Sequence, residues 1–191
     1  MTSSSDLPIL FFETPEAWAA WLEEHADIPG GWLKFYKKGS GVTSLTYQPA
    51  LEVALCYGWI DGQLKKGDEA YYLQRFTPRR TRSSWSKRNC DIVEQLIRAG
   101  RMQPAGRAEV DRAKADGRWS AAYSTASEMD IPADFLEALG HNKSAAAFYT
   151  TLNRANLFSI YYRLQSAKKT ETRARRMTQI IAMLAEGKKF H

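Results

Sequence analysis

The chain of 191 residues is long enough for one sizeable domain or for two small domains that pack together. Hydrophobic residues make up 44% of it and charged residues 25%, which is ordinary for a soluble globular protein. No apolar run approaches the roughly 20 residues that a membrane-spanning helix needs, so no membrane span is expected.

The net charge of +6 is unevenly distributed along the chain. Residues 1–64 carry 3 basic and 8 acidic side chains, residues 65–118 carry 14 and 7, and residues 119–191 carry 10 and 6. The three segments therefore have net charges of −5, +7 and +4. Because the positive charge is concentrated in a middle band and in the last helix, it indicates an anionic partner rather than a uniformly basic surface.

The cysteine content and the first residues both predict a cytoplasmic location. Cys56 and Cys90 allow one pairing at most, which is no disulfide framework for a chain of this size, so both are expected to be reduced thiols. Residues 1–6 lack the basic and apolar regions of a signal peptide.

The first half of the chain predicts a small, mainly antiparallel sheet with packed helices. Thr14 and Pro15 open a helix, because threonine is a good N-cap and proline suits the first helical position. Pro49 starts a second helix that ends at Gly58 and is apolar on nearly every side, which predicts burial. Strands are expected at about 7–12, 32–37, 60–66 and 71–77, the last with the alternation of a sheet that has one covered face.

From residue 86 onward the pattern is mostly helical. A polar stretch, residues 124–130, is the best boundary, so an α+β domain of residues 1–123 and a helical region of residues 124–191 packed on it are expected. Because the first half combines a small sheet with helices and the second half is helical, the sequence as a whole predicts an α+β protein. Helices are indicated at about 87–99, 104–117, 132–140, after 142, at 154–166 and from 170 to 187.

A dense basic and hydroxyl-rich stretch follows the last predicted strand. No acid interrupts it, and the start of the next helix adds free backbone N–H groups, so the set suits an anion. Trp85 could stack on a base or a sugar, or cover an arginine. The alternative is a solvated basic loop with one anchoring tryptophan. The cations are Arg75, Arg79, Arg80, Arg82, Lys87 and Arg88, and the hydroxyls are Ser83, Ser84 and Ser86.

Two further charged residues have open roles. Asp61 lies between a buried helix and a strand, where it could be a general base, or could orient Arg75 or Arg79 in an ion pair. Arg173 lies at the top of the apolar stripe of the last helix and needs a partner. That partner is either an acid of the first half, in an interdomain salt bridge, or a bound anion.

Other chemistries leave no signal in the sequence. Neither cysteine has a nearby histidine that could activate it, and residues at metal-ligand spacing are absent. The loop 38–41 resembles a phosphate loop in composition but lacks its spacing. We therefore expect no cofactor and no metal.

Three functional hypotheses follow. The first is a binding protein for a small anionic or phosphorylated ligand. The second is a nucleic-acid-binding protein that uses the basic band 75–88 and the tail helix. The third is an enzyme that uses Asp61 as acid or base. The sequence does not indicate an oligomeric state. The expected ligand-binding residues are Trp59, Asp61, Arg75, Thr77, Arg79, Ser84, Trp85, Ser86 and Arg173.

The same stretches resemble the YdeI/OmpD-associated family, also described as bacteriocin-protection proteins, over most of the chain. Tyr57 stands where that family is expected to have phenylalanine. The resemblance implies a bacterial stress or bacteriocin-resistance association, but no established reaction and no accepted catalytic residues. It depends on Phe12-Glu13-Thr14-Pro15 with Trp18 and Trp21, Trp32-Leu33-Lys34-Phe35-Tyr36-Lys37-Lys38-Gly39-Ser40-Gly41, Ala54-Leu55-Cys56-Tyr57-Gly58-Trp59-Ile60-Asp61-Gly62, Arg75-Phe76-Thr77-Pro78-Arg79, Trp85-Ser86, Gly117-Arg118-Trp119, Ala167-Lys168-Lys169 and Glu171-Thr172-Arg173-Ala174-Arg175-Arg176.

Overall fold

The computed structural model describes residues 7–124 and 128–191. The first six residues and part of the predicted linker, residues 125–127, lie outside the described residues. The described residues form an α+β structure with a four-stranded mixed sheet and eight helices. The chain divides into two compact units, residues 1–85 with 89–122 and residues 86–88 with 123–191. The division into domains at residue 123 stays a prediction.

The first unit contains the sheet. The elements are β1 (Ile9–Leu10), α1 (Pro15–Glu24), β2 (Gly31–Tyr36), α2 (Tyr47–Cys56), β3 (Trp59–Lys66), β4 (Tyr71–Pro78), α3 (Lys87–Arg98, of which the first two residues belong to the second unit) and α4 (Pro104–Ala115). The strand order is β1-β2-β4-β3, in which β1 and β2 are parallel and the other two pairs are antiparallel. The sheet is therefore mixed, although most of its pairing is antiparallel as expected.

The strand register separates the sheet into two faces. Phe76 of β4 pairs with Gly31 of β2 and is fully buried, so its face is the core face. Because side chains alternate along a strand, Arg75 and Thr77 point to the opposite face. Thr77 is paired there with Ile60. The alternation in β4 thus places a guanidinium and a hydroxyl side by side, away from the core.

Local sequence chemistry explains where α1 and α2 begin. The Thr14 hydroxyl accepts a hydrogen bond from the Ala17 amide at 3.2 Å, which caps α1 as expected. Helix α2 begins at Tyr47, two residues earlier than the sequence predicts from Pro49. Proline is tolerated in that first turn because the first four N–H groups of a helix have no acceptor within the helix.

The core of the first unit is built around α2. This helix packs against α1, β3 and α4 and buries residues on nearly every side, as its apolar sequence predicts. The fully buried Trp18 of α1 donates its indole N–H to the Ala50 carbonyl at 3.2 Å. Gly58 follows the helix with a φ of +78°, a conformation that favours glycine, and lets the chain turn directly into β3.

The second unit is helical in its described part and has its own hydrophobic core. In that core α6 and α7 each pack against α8, and Phe135, Ile160 and Leu184 are fully buried. Asn142 caps α6 through a hydrogen bond from the Ala145 amide, as the sequence predicts. The helices are α5 (Ala133–Gly140), α6 (Lys143–Tyr149), α7 (Arg154–Gln165) and α8 (Thr170–Ala185).

Candidate functional site

A polar cleft of about 520 Å³ opens in the first unit at the start of β3 and the end of β4. It brings together three of the predicted site residues, Asp61, Arg75 and Thr77. We call it the Arg75 cleft. Its lining residues are Leu7, Pro29, Ile60, Asp61, Gly62, Arg75, Thr77, Pro78, Arg80 and Ser83.

Arg75 reaches the cleft across the backbone of β3. A side-chain carbon added at Gly62 would lie 3.0 Å from the Arg75 Nε and 3.2 Å from its Nη2, so the guanidinium lies flat against this glycine. The Nε is buried and makes no hydrogen bond. Among the described residues, Arg75 has no hydrogen-bond or ion-pair partner. Because most partly buried arginines in a folded protein are paired, an unpaired guanidinium at this position is unusual.

Asp61 also lines the cleft, but it pairs with Phe76, so its side chain points to the face of the sheet opposite to Arg75 and Thr77. Its Oδ2 accepts a hydrogen bond from the Tyr47 hydroxyl of α2 at 2.8 Å. Within the described ranges it forms no ion pair, so the expected pairing with Arg75 or Arg79 is not seen. The tyrosine fixes one carboxylate oxygen by a neutral hydrogen bond, which leaves the negative charge of Asp61 uncompensated by an arginine.

Arg80 and Ser83 are lining residues that the sequence analysis counted in the basic loop but left out of the site. The Arg80 amide donates a hydrogen bond to the Ser83 hydroxyl at 3.1 Å, so a tight turn brings the two residues together. In the sequence, the only local signal of this turn is that a serine follows an arginine by three residues. Such turns are common in loops, so the pattern alone cannot identify lining residues.

Arg79 and Trp85, two predicted site residues, lie against each other instead. The Arg79 Cζ is 3.5 Å from the centre of the Trp85 ring, and its Nη1 donates to the Ser84 carbonyl at 3.3 Å. Arg79 is 7% exposed and Trp85 is 2% exposed. Trp85 also packs against Trp119, with ring centres 4.9 Å apart. The tryptophan thus covers an arginine, the second of the two roles expected for it.

Trp59, the first residue of β3, pairs with Pro78 at the end of β4. It is buried and packs edge-on against Trp18 and Trp21, with ring centres 5.9 and 6.1 Å apart. With Arg79 it lines a second cleft of about 380 Å³, whose other walls include Leu22, Tyr57, Pro104 and Glu109. The predicted site residues of the first unit are therefore not in one place: Asp61, Arg75 and Thr77 line one cleft, Trp59 and Arg79 line the other, and Ser84 and Trp85 line neither.

The remaining predicted site residues, Ser86 and Arg173, belong to the second unit. Ser86 forms a parallel bridge with Tyr123. Arg173 binds the Asp134 carboxylate with both terminal nitrogens, Nη2 lying 2.9 Å from Oδ1 and Nη1 contacting Oδ2. This hydrogen-bonded guanidinium lowers the pKa of Asp134 and raises that of Arg173. The partner of Arg173 is therefore an acid of the same unit, not an acid of the first half.

The described residues contain neither a metal-binding cluster nor a membrane-spanning helix. In residues 7–124 and 128–191 no group of three histidine, cysteine or acidic side chains is placed to hold a metal ion. Among these residues, no helix has the length and apolar character that crossing a bilayer requires. Cys56 and Cys90 are free and buried, and burial raises the pKa of both thiols, to about 11 for Cys90. Neither is a prepared nucleophile.

Comparison with known proteins identifies two family models along the chain. Residues 10–109 match the family described as "Domain of unknown function (DUF8412)". Residues 128–187 match the family described as "Bacteriocin-protection, YdeI or OmpD-Associated" (OmdA), which confirms the family resemblance. No curated protein and no solved structure is significantly similar to the chain.

Proposed function

The chain belongs to the family of the domain of unknown function DUF8412 and has a bacteriocin-protection, YdeI or OmpD-associated segment at residues 128–187, and we propose that it is a binding protein for a small anionic or phosphorylated ligand. The ligand occupies the Arg75 cleft. The observation that carries the proposal is the Arg75 guanidinium, which faces this cleft without a partner among the described residues.

The donors of the cleft suit a carboxylate or a phosphate. Arg75 offers a planar fork of N–H groups, which matches two oxygens of such an anion. Arg80 supplies a second positive charge, and Thr77 and Ser83 supply hydroxyls that can donate. A charge-assisted hydrogen bond in a partly buried cleft is stronger than the same contact at an open surface, because fewer water molecules compete with it.

Asp61 restricts which anions fit. With Arg75 and Arg80 it gives the lining residues a net charge of +1, with the carboxylate on the opposite face of the edge strand from the Arg75 guanidinium. A carboxylate accepts hydrogen bonds and repels another anionic group. The ligand is therefore expected to place its anionic group near Arg75 and a hydroxyl or ammonium donor near Asp61, as a phosphorylated polyol would.

The test is a titration of the full chain with inorganic phosphate, glycerol 3-phosphate and glycerol, followed by ¹H–¹⁵N NMR. The amides of Gly62 and Thr77 report on this cleft alone. Glycerol 3-phosphate is expected to shift both signals and to bind more tightly than phosphate, while glycerol leaves them unchanged. Arg75→Gln is expected to weaken glycerol 3-phosphate binding at least about tenfold, which corresponds to the loss of one bidentate contact.

Arg82→Gln is the matched control, because Arg82 is an exposed arginine of the same loop that does not line the cleft. It removes the same charge from the chain and is expected to change the affinity less than twofold. Equal losses for both variants, or no shift at Gly62 and Thr77 with any probe, would remove the proposal. Asp61→Asn should tighten the binding of inorganic phosphate, because it removes a like charge.

A place in bacteriocin protection is proposed from the description of the family that residues 128–187 match, while a stress association and a cytoplasmic location stay predictions from the sequence. The alternatives from the sequence stay predictions. If the basic band binds nucleic acid, it has one cation fewer for the phosphates, because Arg79 is buried against Trp85. For catalysis by Asp61, turnover of any substrate that survives Asp61→Asn would rule the hypothesis out.

A further inference from the structure

A hollow of about 250 Å³ lies in the second unit where the end of α7 meets the first half of α8. Its walls are Ser159, Tyr162, Arg163, Ser166 and Arg176. We infer that this hollow is a binding site for the phosphate group of a phosphomonoester. The inference is independent of the Arg75 cleft, since it concerns other residues in the other unit.

Arg176 is held in place by the end of α7. Its Nη1 donates to the Arg163 carbonyl at 2.6 Å and to the Ser166 hydroxyl at 3.0 Å. A cation is favourable at this end of a helix, where the last carbonyl groups have no partner within the helix. The contacts use one terminal nitrogen. The Arg176 Nε and Nη2 make no hydrogen bond to any residue that the structure describes, so they can donate to a ligand.

Arg163 is positioned by stacking. Its Cζ lies 4.2 Å from the centre of the Phe190 ring. An arginine that stacks on an aromatic ring keeps its N–H groups in the guanidinium plane, so it can still bind an anion at its edge. Arg163 has no ion-pair partner in residues 7–124 and 128–191. The hollow therefore has two positioned guanidinium groups.

The other lining groups of the hollow are hydroxyls. Ser159 lies 2.9 Å from the His191 Nε2, and Ser166 accepts from Arg176, so both hydroxyls are oriented. No carboxylate lines the described part of the hollow. Two arginines and three hydroxyls without an acid suit a dianion better than the Arg75 cleft does, because no carboxylate in the set repels the second negative charge.

A smaller apolar recess of about 120 Å³ shares both arginines with the hollow. Its other walls include Ile180, Met183 and Phe190. Since Arg163 and Arg176 line both spaces, a ligand can place its phosphate among the hydroxyls and an apolar group in the recess. Binding sites with an apolar surface and a few convergent polar groups are typical of small organic ligands. The expected ligand class is a phosphomonoester with a small apolar or aromatic part.

The three arginines of α8 differ in their partners and in the spaces that they line. Arg173 is neutralised by Asp134, and Arg175 is exposed and lines neither space. Arg176 alone of the three faces the hollow. Arg176 follows Arg173 by three residues, about one helical turn, in the same basic run of the sequence. The proposed ligand-binding arginine is therefore a close neighbour of the one that the sequence predicts.

The experiment is an NMR titration of the full chain that follows the Ser166 amide and the Ile180 methyl groups. The probes are phenyl phosphate, inorganic phosphate and phenol. Phenyl phosphate is expected to shift both signals and to bind at least about fivefold more tightly than phosphate, because it fills the recess as well. Phosphate should shift mainly Ser166, and phenol should shift neither at the same concentration. The Gly62 amide separates this response from binding in the Arg75 cleft.

Arg176→Gln and Arg163→Gln are each expected to weaken phenyl phosphate binding at least about tenfold. Arg175→Gln, which removes the same charge from the same helix, should change it less than twofold. Three results would overturn the inference: equal effects of the three variants, equal affinities for phosphate and phenyl phosphate, or an Arg176→Gln variant that is less stable yet binds phenyl phosphate normally. The last would mean that Arg176 only caps α7.

Discussion

Arg79 lies with its Cζ 3.5 Å from the centre of the Trp85 ring, and the two side chains bury each other. The Arg79 Nη1 also donates to the Ser84 carbonyl, which ties the guanidinium to the loop that holds the tryptophan. A buried positive charge has lost its hydration, so the folded state is stable only while the contacts of Arg79 compensate for that loss. The pair is therefore a structural element of the loop that follows β4.

Replacing Arg79 by alanine is expected to lower the free energy of unfolding by about 2–3 kcal/mol, through loss of a desolvated cation–π contact and a hydrogen bond. Urea denaturation monitored by tryptophan fluorescence measures it. Arg82→Ala, in the exposed part of the same loop, should stay within about 0.5 kcal/mol of the parent. Equal stabilities of the two variants would contradict a structural role for Arg79.

Gly62 is expected to matter for binding rather than for stability. In Gly62→Ala the new methyl group would lie 3.0 Å from the Arg75 Nε, so the guanidinium has to move by a few tenths of an ångström. Because bidentate contacts depend on geometry, glycerol 3-phosphate should bind about threefold to tenfold more weakly. The neighbouring exposed residue gives the control, Gln63→Ala, which should bind as the parent does. Unchanged affinity in Gly62→Ala, measured by the same NMR titration, would mean that Arg75 does not contact the ligand.

The elements of the fold could be predicted from the sequence because their signals are local. Thr14 and Asn142 cap their helices through residues three positions away, and the alternation in β4 needs no distant partner. The inward turn of Arg79 could not be predicted, because it depends on the packing of Trp85 against Trp119, 34 residues later. Likewise, the pairing of Arg173 with Asp134 joins two helices that are far apart in sequence. Site geometry is thus less predictable than secondary structure.

The ion pair between Asp134 and Arg173 predicts a pH dependence of stability. The hydrogen-bonded guanidinium lowers the Asp134 pKa in the folded state, so the folded carboxylate holds its proton less tightly than the unfolded one. The stabilisation is therefore present above the unfolded aspartate pKa of about 4 and is lost as the pH falls through the lower folded value. Thermal unfolding of the parent and of Asp134→Asn should differ at pH 7 and converge near pH 2. A constant difference would show that the carboxylate charge plays no part.

The buried thiol of Cys90 predicts the opposite pH dependence. Burial raises its pKa to about 11, whereas an unfolded cysteine ionises near about 8.5. The contribution is fully present below about pH 8.5 and is lost as the pH rises toward 11, because only the unfolded state releases the proton in that interval. The stability difference between the parent and Cys90→Ala should shrink over this range. In the native protein at pH 8, a thiol reagent should modify Cys90 only as fast as the chain opens, and rapid modification would contradict its burial.

Gly106 in α4 should tolerate no side chain, although alanine usually stabilises a helix interior relative to glycine. An added carbon would lie 2.1 Å from the Cys56 carbonyl oxygen and 2.8 Å from that of Leu55, so Gly106→Ala has to push α4 away from the end of α2. Overpacking of this kind costs about 1–3 kcal/mol, and the upper end is expected because the atoms in the way belong to the backbone. Gly140→Ala, at the end of α5, meets nothing within 4 Å and should be neutral or stabilising by up to about 1 kcal/mol. Urea denaturation of both variants measures the contrast, and a stabilised Gly106→Ala would mean that α2 and α4 are not in close contact at this glycine.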